Sequence, residues 1–238
     1  MKNELLGKIN IKPDSKYNFI FLHGWGVNYK SMLYLSSLWD EDFSTYVLSL
    51  PGFGDNKLER SYKLDDYIKD IEDFIYEYKL ENIVLIGHSF GGKLAVYLKS
   101  KHPEYHVVSI APSIISNPKN IIVEIKIFLY KFFKKNNIPL YKLFKGSKDY
   151  QNASGFLKET FLNVFHEYMD EKHFKELKPF LLVGFLNDEE VKISSLNKVN
   201  SYNKDVVFET YSGDHFSYFD HRYEIYYLVN KLLSEGKI

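Results

Sequence analysis

Short apolar segments alternate with amphipathic segments along most of this chain, and this alternation restricts the fold more than any other feature. Six segments have strand-like composition, and five of them are followed directly by His, Pro or Gly. They are residues 17–22, 45–50, 82–86, 106–111, 179–183 and 205–209. Strands that are apolar throughout and alternate with helices form a mostly parallel sheet covered on both faces. The predicted fold class is therefore α/β.

Helical spacing is found between several of these strands. In residues 64–75 apolar side chains recur at intervals of four, three and four, so they share one helix face. Residues 90–101 are predicted as a second helix that ends before Pro103, and a third helix is predicted from Tyr223 to Leu232. These helices would cover the faces of the sheet.

The alternation stops between about residues 113 and 178, where no strand is predicted. Two apolar stripes with helical spacing occupy this region, one in residues 121–132 and one in residues 156–165. We predict a core made of residues 1–112 and 179–238, with residues 113–178 inserted as a helical cap or lid. The alternative is that these stripes only pack on the body of the protein.

Composition excludes several classes of function. Lys and Arg together number 31, as do Asp and Glu, so no net charge attracts nucleic acid. Cysteine is absent, which excludes disulfides, thiolate metal sites and a cysteine nucleophile. The first residues lack the apolar stretch of a secretory signal, so a cytoplasmic location is expected. Residues 121–133 are too short and too charged for stable membrane insertion.

One segment, Gly87-His88-Ser89-Phe90-Gly91, links a predicted buried strand directly to a predicted helix. Such an abrupt turn forces the serine into a strained backbone conformation, and the two glycines remove side chains that would clash there. The serine Oγ is then exposed at the carboxyl edge of the sheet, beside a helix N-terminus that favours negative charge. This arrangement is typical of a nucleophilic serine.

Together with further motifs, this segment resembles the α/β-hydrolase superfamily. The similar motifs are His23-Gly24-Trp25-Gly26, Pro51-Gly52-Phe53-Gly54-Asp55, Gly87 to Gly92, Gly146-Ser147-Lys148-Asp149-Tyr150 and Gly213-Asp214-His215-Phe216-Ser217. The chain looks like the small bacterial carboxylesterase-like members with a helical cap, over nearly its whole length. The resemblance implies an α/β-hydrolase fold. The chain departs from the family at its start, where the leading β-hairpin is shortened to roughly residues 6–12.

A serine nucleophile needs a base and an orienting acid. The resemblance assigns the base to His215, with His221 as the weaker alternative, because the chain order in this fold is serine, acid, histidine. Asp188 follows the fifth predicted strand and is the predicted acid. Related hydrolases usually place a glycine three residues before this acid, whereas Gly184 lies four before Asp188. A shifted turn, with Glu189 as the acid, is therefore the alternative.

The resemblance also implies an oxyanion hole formed by the backbone N–H groups of Trp25 and Phe90. Gly24, Trp25 and His88 are expected to contact the substrate, although His23 and His88 also fit a role in bracing their loops. The chain has no phosphate-binding loop, dinucleotide-binding turn or zinc-binding helix motif. No metal and no cofactor are therefore predicted.

The predicted function is serine hydrolysis of a small, partly apolar ester through an acyl-enzyme. The same scaffold also supports carbon–carbon bond, thioester or amide hydrolysis, and the sequence does not separate these reactions. A non-catalytic small-molecule receptor is a further alternative. The expected partner is a small ester-like molecule, the protein is expected to be a monomer or homodimer, and no nucleic-acid partner is expected.

Overall fold

A computed structural model describes residues 5–116 and 151–238 of the 238-residue chain. Within these ranges seven strands form one sheet in the order β1-β3-β2-β4-β5-β6-β7. The strands are β1 (Leu6–Asn10), β2 (Asn18–Leu22), β3 (Ser44–Leu48), β4 (Ile83–His88), β5 (His106–Ile110), β6 (Leu181–Phe185) and β7 (Val207–Tyr211). The pairings from β3 to β7 are parallel, and only β1 runs antiparallel, along β3. The predicted α/β fold class is confirmed.

Helices connect most of these strands. In the described ranges they are α1 (Leu33–Ser36), α2 (Leu64–Glu77), α3 (Phe90–Lys101), α4 (Gly155–Phe165), α5 (Glu171–Glu176), α6 (Ile193–Tyr202) and α7 (Arg222–Ser234). Short 3₁₀ turns lie at Tyr29–Met32 and Ser217–Phe219. The three helices predicted from spacing correspond to α2, α3 and α7. Helices α1, α5 and α6 were not predicted, and α6 has few apolar positions.

The strand predictions are confirmed to within two residues at every boundary. The first described residues do not form the hairpin that was expected. Where a shortened hairpin was predicted in residues 6–12, the structure has a single strand, β1, which pairs with β3 and forms the edge of the sheet. Because Ile11 and the residues after it do not continue the ladder, a second hairpin strand is missing there.

Each face of the sheet has its own apolar core. On one face Ile20 and Leu22 of β2 pack with the buried residues of α2, α3 and α6. On the other face Phe19 and Phe21 of the same strand pack with α1, α7 and Trp39. Successive side chains of a strand point to opposite faces, so an apolar strand contributes to both cores. This arrangement holds the carboxyl ends of the parallel strands at one edge.

The described part of the predicted cap, residues 113–116 and 151–178, contains α4 and α5. Helix α4 is tied to the loop before α2, because the Tyr62 amide donates to Thr160 Oγ1 at 2.8 Å and Asn163 Nδ2 donates to the Tyr62 carbonyl at 3.0 Å. The first predicted stripe, residues 121–132, and the Gly146–Tyr150 motif lie outside the described residues. The division into core and cap stays a prediction.

Of the helices that the described ranges contain, none combines the length and the apolar character needed to cross a membrane.

Candidate active site

The Ser89 turn lies between β4 and α3 at the carboxyl edge of the sheet. Ser89 has φ 51° and ψ −109°, a conformation that side-chain-bearing residues rarely adopt. Its amide donates to the carbonyl of Ile110 at 2.8 Å, and its carbonyl accepts from the Lys93 amide at 2.9 Å. These two bonds anchor the turn to β5 and to the first turn of α3. The strained conformation is therefore maintained by its surroundings.

Two glycines allow this turn to form. A Cβ built on Gly87 would lie 2.2 Å from the Gly91 carbonyl oxygen, and one built on Gly91 would lie 2.2 Å from the carbonyl oxygen of Leu22. Both clashes are with backbone, which cannot move aside as a side chain can. The steric reason predicted for these glycines is present in the structure, and α3 consequently packs directly against β2 and β4.

His215 and Asp188 form a buried pair. His215 Nδ1 and Asp188 Oδ2 are 2.7 Å apart, and the two residues are only 5% and 3% exposed. The other carboxylate oxygen accepts from the amides of Glu190 and Val191, each at 2.8 Å. An ionised carboxylate only accepts hydrogen bonds, so Nδ1 carries the hydrogen and Nε2 is left with a free lone pair. The imidazole is thus in the tautomer that a general base needs.

The alternatives to this pair lie elsewhere. Glu189 is exposed, whereas Asp188 is the acid that contacts His215. His221 stacks on Tyr211 with ring centroids 4.8 Å apart and is 3.1 Å from the carbonyl oxygen of Ser212. The displaced glycine has a packing role: a Cβ on Gly184 would lie 2.6 Å from Ile193 Cδ1. Gly184 therefore admits α6 against β6 and does not form the acid's turn.

One carboxylate near the pair was not found from the sequence. Glu190 Oε2 lies 3.5 Å from His215 Nε2, on the side of the ring opposite Asp188. Its side chain is 61% exposed, so water screens much of its charge. No motif marks Glu190, because its approach to His215 depends on how the loop after β6 is folded around Asp188.

His88 was expected to contact substrate, and the structure corrects this. It is 1% exposed, its Nε2 donates to the His215 carbonyl at 2.8 Å, and its ring lies against Tyr218. Burial, with a smaller contribution from the charge of His215, lowers the pKa of His88 to about 3. A neutral, buried ring in this position supports the loop that carries His215.

His23 has a corresponding bracing position. Its Nδ1 donates to the carbonyl of Gly24 at 2.8 Å, and its Nε2 accepts from the Leu50 amide at 3.1 Å. Burial lowers the pKa of His23 to about 4, partly offset by the bond to Gly24. The neutral imidazole joins the loop after β2 to the loop after β3, as expected for a bracing role.

The expected oxyanion donors lie beside Ser89. Phe90 is the first residue of α3, and a Cβ on Gly24 would lie 3.3 Å from Ser89 Cβ, so the loop carrying Trp25 passes close to the serine. Within residues 5–116 and 151–238 the amides of Trp25 and Phe90 have no hydrogen-bond acceptor. Unpaired amides next to a serine can stabilise a developing oxyanion.

A cavity of about 100 Å³ lies between Ser89 and α4. Its wall is mainly apolar and aromatic, with Lys93 and Glu190 as the charged residues. The lining residues are Trp25, Ser89, Phe90, Lys93, Ser113, Ile115, Phe161, Val164, Phe165, Tyr168, Glu190 and Val191. The indole of Trp25 makes edge-on contacts with Phe90 and with Phe161 of α4, at centroid distances of 5.4 and 5.3 Å. Such a wall suits a small, partly apolar group.

In the described parts of the chain, His, Asp and Glu side chains form no group of three that could hold a metal ion.

Sequence comparison identifies the family. A family model described as alpha/beta hydrolase fold matches residues 17–148, which is more than half of the chain. The chain therefore belongs to the α/β-hydrolase family.

Curated relatives share part of their length with this chain. A protein of Mycoplasma genitalium, provisionally named esterase/lipase 2, is 37% identical over 143 residues, which are 57% of this chain and 52% of the relative. A protein of Mycoplasma pneumoniae with the same provisional name is 38% identical over 93 residues, 37% of this chain and 35% of that protein. The matches thus span about half and about a third of these relatives.

Solved structures resemble the chain over nearly its full length. A lipase-esterase related protein from Clostridium acetobutylicum has a TM-score of 0.69 at 18% identity, covering 94% of this chain and 97% of that chain. A hydrolase from Pseudomonas aeruginosa has a TM-score of 0.73 at 12% identity, covering 95% and 92%. At such low identity the likeness establishes the fold alone.

Proposed function

We propose that this protein is a carboxylesterase-like serine hydrolase that cleaves a small, partly apolar ester through an acyl-enzyme. In this proposal Ser89 is the nucleophile, His215 the general base and Asp188 the residue that orients it. The amides of Trp25 and Phe90 hold the oxyanion, and α4 and α5 belong to a helical cap over the site.

The observation that carries the proposal is the buried 2.7 Å contact between His215 Nδ1 and Asp188 Oδ2, at the same sheet edge as the strained Ser89 turn. A buried carboxylate is expensive unless its oxygens are hydrogen-bonded. Asp188 has its remaining oxygen satisfied by two amides, while the Nε2 atom of His215 keeps its lone pair. An imidazole oriented in this way is suited to removing a proton from a neighbouring hydroxyl.

The reaction proceeds in two halves. Ser89 transfers its hydroxyl proton to His215 Nε2 as its Oγ bonds to the ester carbonyl carbon, and the resulting oxyanion is held by the amides of Trp25 and Phe90. The bond to the alkoxy oxygen breaks while His215 returns the proton to the leaving alcohol. Water then loses a proton to His215 as its oxygen bonds to the acyl carbon. The bond between the acyl carbon and Ser89 Oγ breaks, His215 returns the proton to Oγ, and the acid is released.

The relatives support ester cleavage as the reaction. Besides the two mycoplasma proteins, a protein of Hamiltonella defensa named as a pimeloyl-[acyl-carrier protein] methyl ester esterase is 28% identical over 91 residues, 38% of this chain. Esters also have alcohol leaving groups, which need less assistance than amines. The mainly apolar wall between Ser89 and α4 favours an apolar portion in the substrate.

The test uses covalent labelling and turnover together. We expect the wild-type protein to react stoichiometrically with a fluorophosphonate and to hydrolyse short p-nitrophenyl esters. Ser89→Ala should lose the label and at least about 10³-fold in kcat, because the nucleophile is gone. Intact-mass spectrometry measures the adduct.

The control is Ser100→Ala, which changes an exposed serine on the same helix. This variant should label and turn over like wild type. Labelling that persists in Ser89→Ala would refute the assignment of the nucleophile. A wild-type protein that binds esters without turning them over would instead indicate a receptor.

A further inference from the structure

Lys93 is a buried cation in the wall of the candidate active site. It lies on α3 one helical turn after Ser89, a rise of about 6 Å along the helix. It is 1% exposed and lines the cavity between Ser89 and α4. Lysine is almost never fully buried unless its charge is paired, so this position calls for a physical explanation.

The protein provides hydrogen-bond acceptors for only some of the N–H donors of this ammonium group. Lys93 Nζ donates to the carbonyl oxygen of Val164 at 2.9 Å and lies 5.1 Å from the centroid of the Tyr168 ring. The charge of Glu167 acts on it, but within residues 5–116 and 151–238 the two form no ion pair. An ammonium has three N–H donors, so two remain without a protein acceptor in the described chain. Unsatisfied buried donors are costly and are therefore rare.

The charge of Lys93 persists near neutral pH. Burial lowers its pKa to about 8, with Glu167 opposing the shift, so the protonated form still predominates at pH 7. The neighbouring wall at Ile115, Phe161 and Phe165 is apolar. The cavity lining also contains acceptor side chains, those of Ser89, Ser113, Tyr168 and Glu190, but within residues 5–116 and 151–238 the hydrogen bond of Lys93 Nζ goes to the Val164 carbonyl and to none of these side chains. The remaining donors are therefore matched best by an anionic group that arrives with the substrate, because hydrogen bonds between charged partners are the strong ones.

We propose that Lys93 is a specificity-determining residue that binds a carboxylate of the substrate, so that the favoured esters are half-esters of short dicarboxylic acids. This inference rests on the proposed function, because it places the scissile carbonyl at Ser89. The ester end of such a molecule lies at Ser89, its short methylene chain contacts the aromatic wall, and its carboxylate accepts from the Lys93 ammonium.

The same helix provides a matched control. Lys99 is also buried, at 4% exposure, and its pKa is likewise lowered by burial to about 8. Its Nζ donates to the carbonyl of Tyr105 at 2.6 Å, and it does not line the cavity. Lys93→Met and Lys99→Met thus remove comparable buried charges from one helix, but only the first removes a charge beside Ser89.

The experiment compares matched ester pairs. Monomethyl succinate, glutarate and adipate are tested against methyl butanoate, pentanoate and hexanoate, which have the same acyl length without the carboxylate. For wild type we expect kcat/KM to favour the charged ester of at least one pair by about tenfold or more. In Lys93→Met this ratio should fall by about 10- to 100-fold, as the loss of a charge-assisted hydrogen bond predicts. Lys99→Met should keep the wild-type ratio, and Lys93→Arg should keep a ratio above one.

If Lys93 had only a structural role, Lys93→Met would lower kcat/KM equally for the charged and the uncharged ester of a pair. The ratio of the two values would then stay as in wild type, and this result would overturn the proposal. An absence of preference in wild type would overturn it as well, whether or not Lys93→Met folds. Calorimetry of the same ester pairs binding to Ser89→Ala tests the carboxylate site separately from the proposed hydrolysis, because this variant is expected to bind esters without cleaving them. If the half-ester bound selectively but wild type did not turn it over, the proposed reaction would be refuted and the carboxylate site retained. If wild type turned over both esters without selectivity, the carboxylate site would be refuted and the proposed reaction retained.

Discussion

At the scale of single residues, the candidate site depends on which acid reaches the imidazole. Asp188 and Glu189 are adjacent in sequence and have the same chemistry, yet only Asp188 is buried against His215. Two amides that follow it in the loop bind its second oxygen and fix its orientation. The choice between the two acids is therefore made by the turn after β6.

Asp188→Asn is expected to reduce kcat by about 10⁴-fold with little change in KM, because the amide favours the wrong imidazole tautomer. Steady-state kinetics on a short p-nitrophenyl ester measures the effect, and circular dichroism checks the fold. The control is Glu189→Gln, which replaces the adjacent, exposed carboxylate by an amide. This variant is expected to behave like wild type. If Glu189→Gln gave the larger loss, Glu189 would be the orienting acid.

At the scale of secondary structure, the unit β4–Ser89–α3 determines where the proposed nucleophile lies. The helix begins one residue after the serine, and α3 is pressed so closely against β2 that a Cβ on Gly91 would overlap the Leu22 carbonyl oxygen. Contact at this distance leaves no room for relaxation, because both partners are backbone. We therefore expect α3 to tolerate substitution on its exposed side but not at this contact.

Gly91→Ala is therefore expected to destabilise the protein by about 3 kcal/mol or more, the upper range for overpacking. Helix propensity alone would predict that this substitution stabilises the protein, because it favours Ala over Gly by about 1 kcal/mol. Urea unfolding followed by circular dichroism measures the free energy of unfolding.

The matched control for Gly91→Ala is Gly236→Ala. Gly236 has φ 63° with no atom within 4 Å of a built Cβ. This variant should cost only the roughly 1–2 kcal/mol of a left-handed residue. Equal effects of the two variants would contradict the steric explanation.

At the scale of the whole molecule, the packing that forms two apolar cores also buries polar side chains. His23 and His88 are fully buried at the carboxyl edge of the sheet and connect its loops. Their burial is compatible with folding only while they are neutral, because a charged imidazole there would lose its hydration. The stability of the protein is consequently linked to pH.

We expect the free energy of unfolding to fall as the pH decreases from 7 to 5. The pKa values of His23 and His88 are about 4 and about 3 when folded, against an ordinary 6.5, so below pH 6.5 the unfolded chain binds protons that the folded chain does not. Each histidine then costs about 2 kcal/mol at pH 5. Urea unfolding at the two pH values measures the loss, which should total about 4 kcal/mol.

Replacing His23 or His88 tests whether these two histidines cause the pH dependence of stability. His23→Asn or His88→Gln should reduce the pH-dependent part of the loss by about half, whatever its effect on stability at pH 7. His166→Gln, which changes an exposed histidine, should leave the pH dependence as in wild type. An unaltered pH dependence in both buried variants would exclude these histidines as its cause.

Most of the fold and part of the site followed from local patterns. The strands are marked by their apolar composition, α2, α3 and α7 by helical spacing, and Ser89 by two glycines whose built side chains would clash with backbone. The hairpin predicted in residues 6–12 is a single, half-buried edge strand, β1, and helix α6 was missed because it packs through few apolar residues. His88 was given a substrate contact that its burial excludes.

The sequence by itself determined the α/β architecture and the position of the serine turn. Both are marked by patterns that can be read along the chain, namely apolar segments and glycines on either side of the serine, although the clash that Gly91 avoids is with the Leu22 carbonyl oxygen of β2. Only the tertiary structure decided that Asp188 contacts His215, that Glu190 approaches the other ring nitrogen, and that Lys93 is buried beside Ser89. These contacts join residues from separate elements, and burial, which determines their charge and cost, is a property of the packed molecule.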